Sequence, residues 1–565
     1  MKYTGVISFT ALLASTSVAL PATVRLGNTF VGSAGGASVS IATNGDLGGG
    51  RIVIGSTFTG TSITGSLEVN AATTPNAVSD VTNVRNIEIN AGALRVIGDG
   101  TAGSARVEVR NQLRLEANAD TSLFIANGGE VIYTSPETGR TGAVILGSYA
   151  DFIPGSGTTT TTVTGEHSYL EINGRLELGF GNALSDDMTI SEGARVVVQE
   201  PDDFEARVDA SFDPTEASRG GVSLGGFDTF APGQALDTLT ITGVGSELVY
   251  SSNFFTNSGN NRILVIDGGV IRQNEVGDVD AVAAFLGINP DDLGAFSLGS
   301  GVGESSLLVD GPGSAVSVTR NIQIGYGEAL IGYENPEEYA GPIFGPTSAQ
   351  ATVVNGGLMS TTKDVVVSKS GEPGTGYLTV GSGGRVEASR LILNDGGVLS
   401  GNGGTIVGDV ILDGGMISPG ASPGSMTIDG DLEVFGGSLF FEVGGGGAGM
   451  FDQLFVTGDL LAMQGLSITL SLIDGFLPER GTVFDFLKVS GSASIFDTPE
   501  LISVSFLGIN GSEFALGVTN NGFSGTYVGE NPVSPVPLPS GLLLLVTAFG
   551  VMGLLSGRRK ATVAV

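Results

Sequence analysis

Apolar and polar residues alternate in short bursts along most of this chain. In the stretch VEVRNQLRLEA (107–117), Val107, Val109, Leu113 and Leu115 point one way on a two-residue period, with a break at Asn111. Arg106, Glu108, Arg114 and Glu116 point the other way. That is the signature of a β-strand with one buried and one wet face. From 23 to 430 such runs are joined by Gly-Gly, Asp-Gly or Asn-Gly steps, which supply the positive φ angles that sharp corners need. The segment from Leu378 to Gly420 is the purest case, with a glycine turn about every ten residues. Helical periodicity is nearly absent before the C-terminal tail.

The bursts form recurring phrases. LELGFGNAL (176–184) answers IQIGYGEAL (322–330), and TGEHSYLEI (164–172) answers TGVGSELVY (242–250) and DGPGSAVSV (310–318). AVILGSY from Ala143, GVSLGGF from Gly221 and AFSLGSG from Ala295 form a third series. MTISEGARVVV from Met188, LVIDGGVIRQ from Leu264 and TVVNGGLMSTT from Thr352 form a fourth. The order repeats every seventy-odd residues. Strands this short cannot bury a face alone, but coils stacked on one another share a single column of core. The expected fold is all-β: a right-handed parallel β-helix over 23–430, with about 20–25 residues per coil and ~4.8 Å between coils, hence a rod on the order of 80–100 Å. A string of β-sandwiches would instead show linkers and units near a hundred residues, and neither is visible. From 431 to 531 the chain is richer in Phe and Leu and poorer in Gly, which predicts a β-rich cap over the open strand edges.

Composition narrows the function. Glycine is 92 of 565 residues and the charged fraction is 15%, while 41% apolar content is enough for a core. Cysteine is absent, so no disulfide contributes to stability. A net charge of −33 excludes the cationic footprint that nucleic acid requires. It also disfavours anionic lipid or anionic polysaccharide unless divalent cations bridge the two.

Both ends read as addresses. Residues 1–22 have a positive start at Lys2, an apolar stretch from Gly5 to Ala14 and small residues beyond, as in a secretory signal with cleavage after Ala19 or, second, Ala22. At the other end, residues 532–565 hold Val536-Pro537-Leu538-Pro539-Ser540, a charge-free apolar run from Gly541 to Leu555 expected as a single hydrophobic helix, and the basic cluster Arg558, Arg559 and Lys560. Fifteen residues are at or just under the ~17-residue lower limit for a membrane span, and positive charge tends to stay cytoplasmic.

This ordered run resembles the VPLPA variant of the PEP-CTERM sorting domains, with Ser540 where that family usually has alanine. The resemblance implies recognition and removal of the tail by an exosortase-like membrane protease. It also implies transient anchoring in the inner membrane and a destination at the cell surface or in the extracellular matrix of a Gram-negative bacterium that makes exopolysaccharide. The stretch 399–432 resembles the passenger repeats of autotransporter adhesins, which implies the fold more than an activity. The outer-membrane barrel of an autotransporter is not accommodated, since 135 residues follow Gly430 and one apolar run occupies their end.

Parallel β-helices host polysaccharide lyases and glycosidases, whose sites need clustered carboxylates with Arg or Lys, or paired carboxylic acids across a sugar bond. The acidic clusters here are Asp186–Asp187, 201–209, 289–292 and 334–339, all expected as solvated loop charge. The favoured host for a sugar or cation is 201–209, where Asp202, Asp203, Glu205 and Asp209 flank Arg207. Asp452, in GGGGAGMFDQLFV, has the wrong spacing for a calcium nonapeptide and reads as part of a flexible turn; DGDL (429–432) is equally weak. No cofactor or defined metal site is expected, although loose Ca²⁺ binding suits so acidic a chain. The single histidine, His167, falls where sister phrases carry Gly245 and Gly313, so it marks a surface corner and no catalytic residue is assigned. The expectation is an exported structural or adhesive protein whose partners are exopolysaccharide or a neighbouring cell; a polysaccharide-degrading enzyme on the same scaffold is the alternative.

Overall fold

A computed structural model describes residues 24–25, 29–31, 37–41, 45–46, 51–54, 65–70 and 79–530. The last range lacks 117–118, 135–142, 148–156, 180–184, 200–220, 226–235, 258, 275–293, 302, 327–346, 371–373, 421–422, 494–501, 509 and 520. The described residues are all-β, with 43 strands numbered along the chain from β1 (Val24–Arg25) to β43 (Gly522–Tyr527) and one 3₁₀ turn at Gly511–Glu513. Among them no helix is long and apolar enough to cross a membrane.

Pairing defines the architecture. From β10 (Thr121–Ala126) to β29 (Leu358–Thr361) every strand pairs in parallel with the strand three places on. Each coil therefore contributes three strands, and three parallel ladders run along a solenoid-like stack. The inward rungs match in type as well as position. Val96, Ile125, Val163, Ile190, Ile241 and Val265 succeed one another in register, all fully buried. Branched side chains suit this column because they pack on a pleated surface in few rotamers. Burial of each such residue contributes about 1.5–3 kcal/mol before the entropy of ordering.

Coil length varies while rung spacing does not. Asp187 pairs with Thr238, 51 positions on, and Gly376 with Gly397, 21 positions on. The expectation of 20–25 residues per coil thus holds only for the shorter coils. The difference lies between strands, where added chain leaves the ladders untouched.

The recurring phrases correspond to sides and corners of this stack. The break at Asn111 is a corner inside β9 (Ala105–Leu115): Val107 and Val109 pair with Val131 and Tyr133, whereas Leu113 and Leu115 pair with Val144 and Leu146 on another side. The Tyr133 hydroxyl donates to the Asn111 carbonyl at 2.8 Å and fixes the bend. Two corner types alternate from coil to coil, so the seventy-odd-residue repeat is a pair of coils. In one type a serine, Ser168, Ser246 or Ser314, is buried. Its hydroxyl accepts the N–H of Gly128, Gly193 or Gly268 in the preceding coil, at 2.9–3.1 Å. Ser168 and Ser314 also donate to the carbonyls of Thr164 and Asp310 at 2.7 and 2.6 Å. His167 sits on such a corner with φ 68° and a half-exposed ring, as its phrase predicted.

Toward the C-terminus the parallel ladder runs through β36 (Leu432–Val443), β39 (Leu466–Leu472) and β41 (Ile502–Leu507). Beside it β40 (Val483–Val489) pairs antiparallel with β43, which pairs antiparallel with β42 (Phe514–Thr519). The aromatic side chains of this region converge: Phe486 lies 5.4–6.1 Å, ring centre to ring centre, from Phe441, Phe451, Phe484 and Phe523.

Candidate functional site

Outward positions of one ladder form a groove of about 590 Å³ across successive coils. Its floor is a register column, Arg262–Ser306–Gln350–Tyr377, contributed by β22 (Gly259–Ile266), β25 (Gly303–Asp310), β28 (Thr347–Val354) and β31 (Thr375–Val380). One wall carries Asn260, Glu304 and Ser348, also in register. The other carries Thr379 and Ser400, whose hydroxyls lie 3.1 Å from one another. These side chains point outward because their neighbours at every second position, Ile263, Leu307, Ala351 and Leu378, fill the core.

The chemistry is that of a binding surface. Rungs repeat at ~4.7–4.9 Å, close to the length of one sugar residue in an extended chain. Alternating hydroxyl, amide and guanidinium groups offer both donors and acceptors at each step. Tyr377 is 41% exposed and presents an aromatic face beside them. Glu304 is the one carboxylate among the described residues lining the groove, so the paired acids of a glycosidase are not assembled there.

The sequence-predicted positions fall in several places. Ala19, Ala22, Val536–Ser540, Arg558, Arg559 and Lys560 lie outside the described residues, as do the acidic segments 201–209, 289–292 and 334–339. Asp186–Asp187 corrects the expectation of loop charge. Both are in strand β16 (Ser185–Ser191), and Asp186 is fully buried, because parity at the strand entrance turns it toward the core. Burial pushes its carboxyl up to about 7, opposed by a hydrogen bond from the Thr159 hydroxyl.

Asp452 is a second correction. It is fully buried, where its carboxylate oxygens accept the N–H of Gly424 at 2.7 Å and of Glu442 at 2.8 Å. It is therefore a rigid staple across coils. Asp429-Gly430-Asp431 belongs to another ladder: Asp409 Oδ1 accepts the N–H of Asp431, Asp431 Oδ1 that of Asp459, and Asp459 Oδ1 that of Ser492. Among the described residues no three acidic or histidine side chains gather at one point.

Burial pushes the Asp452 carboxyl up to about 7, partly opposed by its two N–H donors. An acid raised in the folded state binds more protons folded than unfolded between about pH 4 and 7, so stability is highest at the acid end and falls as pH rises through that window. The unfolding free energy should thus fall from pH 5 to pH 7, by up to roughly 1.4 kcal/mol per pH unit, and the thermal midpoint should drop with it. In Asp452→Asn that slope should shrink, as measured by calorimetry across the same range. Asp452→Ala, which strands two buried N–H groups, should cost about 2–4 kcal/mol at either pH.

No protein-family model and no curated protein matches this chain.

Proposed function

We propose that this protein is an exported structural or adhesive rod, a right-handed parallel β-helix with a β-rich C-terminal cap, that binds an extended exopolysaccharide along the groove between Arg262 and Ser400. The observation that carries the reading is the register column of the groove floor, four outward side chains from four successive coils ending at the exposed ring of Tyr377. A polymer whose repeat approximates the rung spacing meets a polar outward side chain at each step. The terminal segments support the destination: a secretory start with cleavage at Ala19 or Ala22, and a PEP-CTERM-like tail on which an exosortase-like protease acts before release to the surface or matrix.

The test is binding of the mature, secreted protein to the producer's own exopolysaccharide, with polymer length followed in parallel. Saturable binding without shortening is expected, weakened about threefold to tenfold in Tyr377→Ala. Intact mass of the same preparation should lack Arg558–Lys560. Shortened polymer would select the polysaccharide-degrading alternative, and unchanged affinity in Tyr377→Ala would remove the groove from the account.

A further inference from the structure

The inner side of the same ladder carries a column that does not belong in an apolar core. Beside the Val/Ile column, the inward position at the strand entrances is occupied in turn by Thr121, Thr159, Asp186, Asp237, Asn261 and Ser305. Each is at most 4% exposed. Asp186 lies in β16, Asp237 in β19 (Leu236–Thr242) and Asn261 in β22, three successive coils. Asp187 pairs with Thr238 and Asp237 with Asn261, so the three side chains stand one rung apart.

Their hydrogen bonds leave a specific remainder. Asp186 Oδ1 accepts from the Thr159 hydroxyl, and Asp237 takes a backbone hydrogen bond from Asp186. The Asn261 amide donates to the Asn257 carbonyl at 2.8 Å. Asp186 Oδ2, Asp237 Oδ1 and Asn261 Oδ1 are buried with no donor. All three are acceptors, and they recur in three consecutive coils. The charged groups acting on Asp237 are Asp186 and Asp187, both acidic. Burial first, and then the repulsion of the neighbouring acids, pushes both carboxyls up, so the pair is held ionised only where something positive sits with it.

We infer that Asp186, Asp237 and Asn261 hold a calcium ion that ties three successive coils together from inside the stack. The donor set selects the class of ion. Carboxylate and amide oxygens without nitrogen or sulfur favour a hard cation. Calcium accepts irregular sets of six to eight oxygens, which strand carbonyls and the hydroxyls of this column can complete, whereas magnesium demands a near-ideal octahedron. The ion neutralises the carboxylate pair and satisfies the three acceptors at once. Asn261 also reaches the lining of the outer groove, whereas Asp186 and Asp237 do not, so variants at the two aspartates separate the ion from the groove.

The test uses the full mature chain, stripped with a chelator and titrated with CaCl₂ by calorimetry and native mass spectrometry. Wild type should retain one tightly bound Ca²⁺, and Asp186→Asn/Asp237→Asn, which keeps side-chain shape, should retain none while keeping any weak surface binding. Calcium should raise the unfolding midpoint of wild type by several degrees, and NaCl at matched ionic strength should not. A double variant that binds calcium like wild type would overturn the assignment, as would a stripped wild type with no tight equivalent. Should the double variant fail to fold, Asp186→Asn alone serves, with at least tenfold weaker binding expected and unchanged binding fatal to the inference.

Discussion

Replacing Phe486 by alanine is expected to remove about 3–5 kcal/mol of stability from the C-terminal region, the largest loss of any single side-chain truncation considered. The ring is fully buried and packs against four other phenylalanines: Phe441 from the ladder, Phe451 from the turn that bridges back to Val443, and Phe484 and Phe523 from the antiparallel unit. Truncation would leave a cavity that strands on both sides, held by their own hydrogen bonds, cannot collapse to fill. A solenoid propagates stability between neighbouring coils, so the damage should appear as a separate low-temperature transition in calorimetry, with the rest of the stack melting later. Loss of the antiparallel unit would also bare strand edges, and light scattering at the first transition should rise. A single transition at the wild-type midpoint would show that the cluster does not hold this end.

Gly128→Ala should be severely damaging for the addition of one methyl group. Gly128 has φ 81°, a left-handed conformation that costs an alanine about 1–2 kcal/mol. An added Cβ would also press into the carbonyl of Thr101 in the adjacent coil, well inside van der Waals contact, and that carbonyl is backbone and cannot rotate away. Gly128 donates its N–H to the Ser168 hydroxyl besides, so displacing it breaks the corner staple. Gly100 provides the control, with φ 98° but nothing within 4 Å of the new methyl. Gly100→Ala should cost about 1–2 kcal/mol and Gly128→Ala at least about 3, read from denaturant midpoints. Equal effects at the two sites would mean that coil-to-coil contact at the corner carries no weight.

The fold was legible because its physics is local and repeated. The parity of Val107, Val109, Leu113 and Leu115 named the inward side correctly, and the break at Asn111 marked a real corner. Parity failed one residue past the strand: Glu116 was expected to point outward with Arg114, yet it is buried beside that arginine, because alternation ends with the strand at Leu115. The serines were in plain view in the phrases that contain Ser168, Ser246 and Ser314, but glycine drew the reading there, and the bond that explains the serine crosses coils. Asp186 was missed because adjacent aspartates disfavour strands. Aligning TTTTTVT (158–164), SDDMTIS (185–191) and LDTLTIT (236–242) would have set Thr159, Asp186 and Asp237 in one column. The groove left no local signal, since Arg262, Gln350 and Tyr377 are ordinary outward residues until stacking brings them together.

The unequal coils have an evolutionary consequence. Fifty-one positions separate one pair of register partners and 21 another, yet both pairs sit a single rung apart. What the chain does between strands is thus uncoupled from what keeps it upright. Such a molecule can acquire, exchange or discard whole segments between strands while its hydrophobic spine inherits none of the cost.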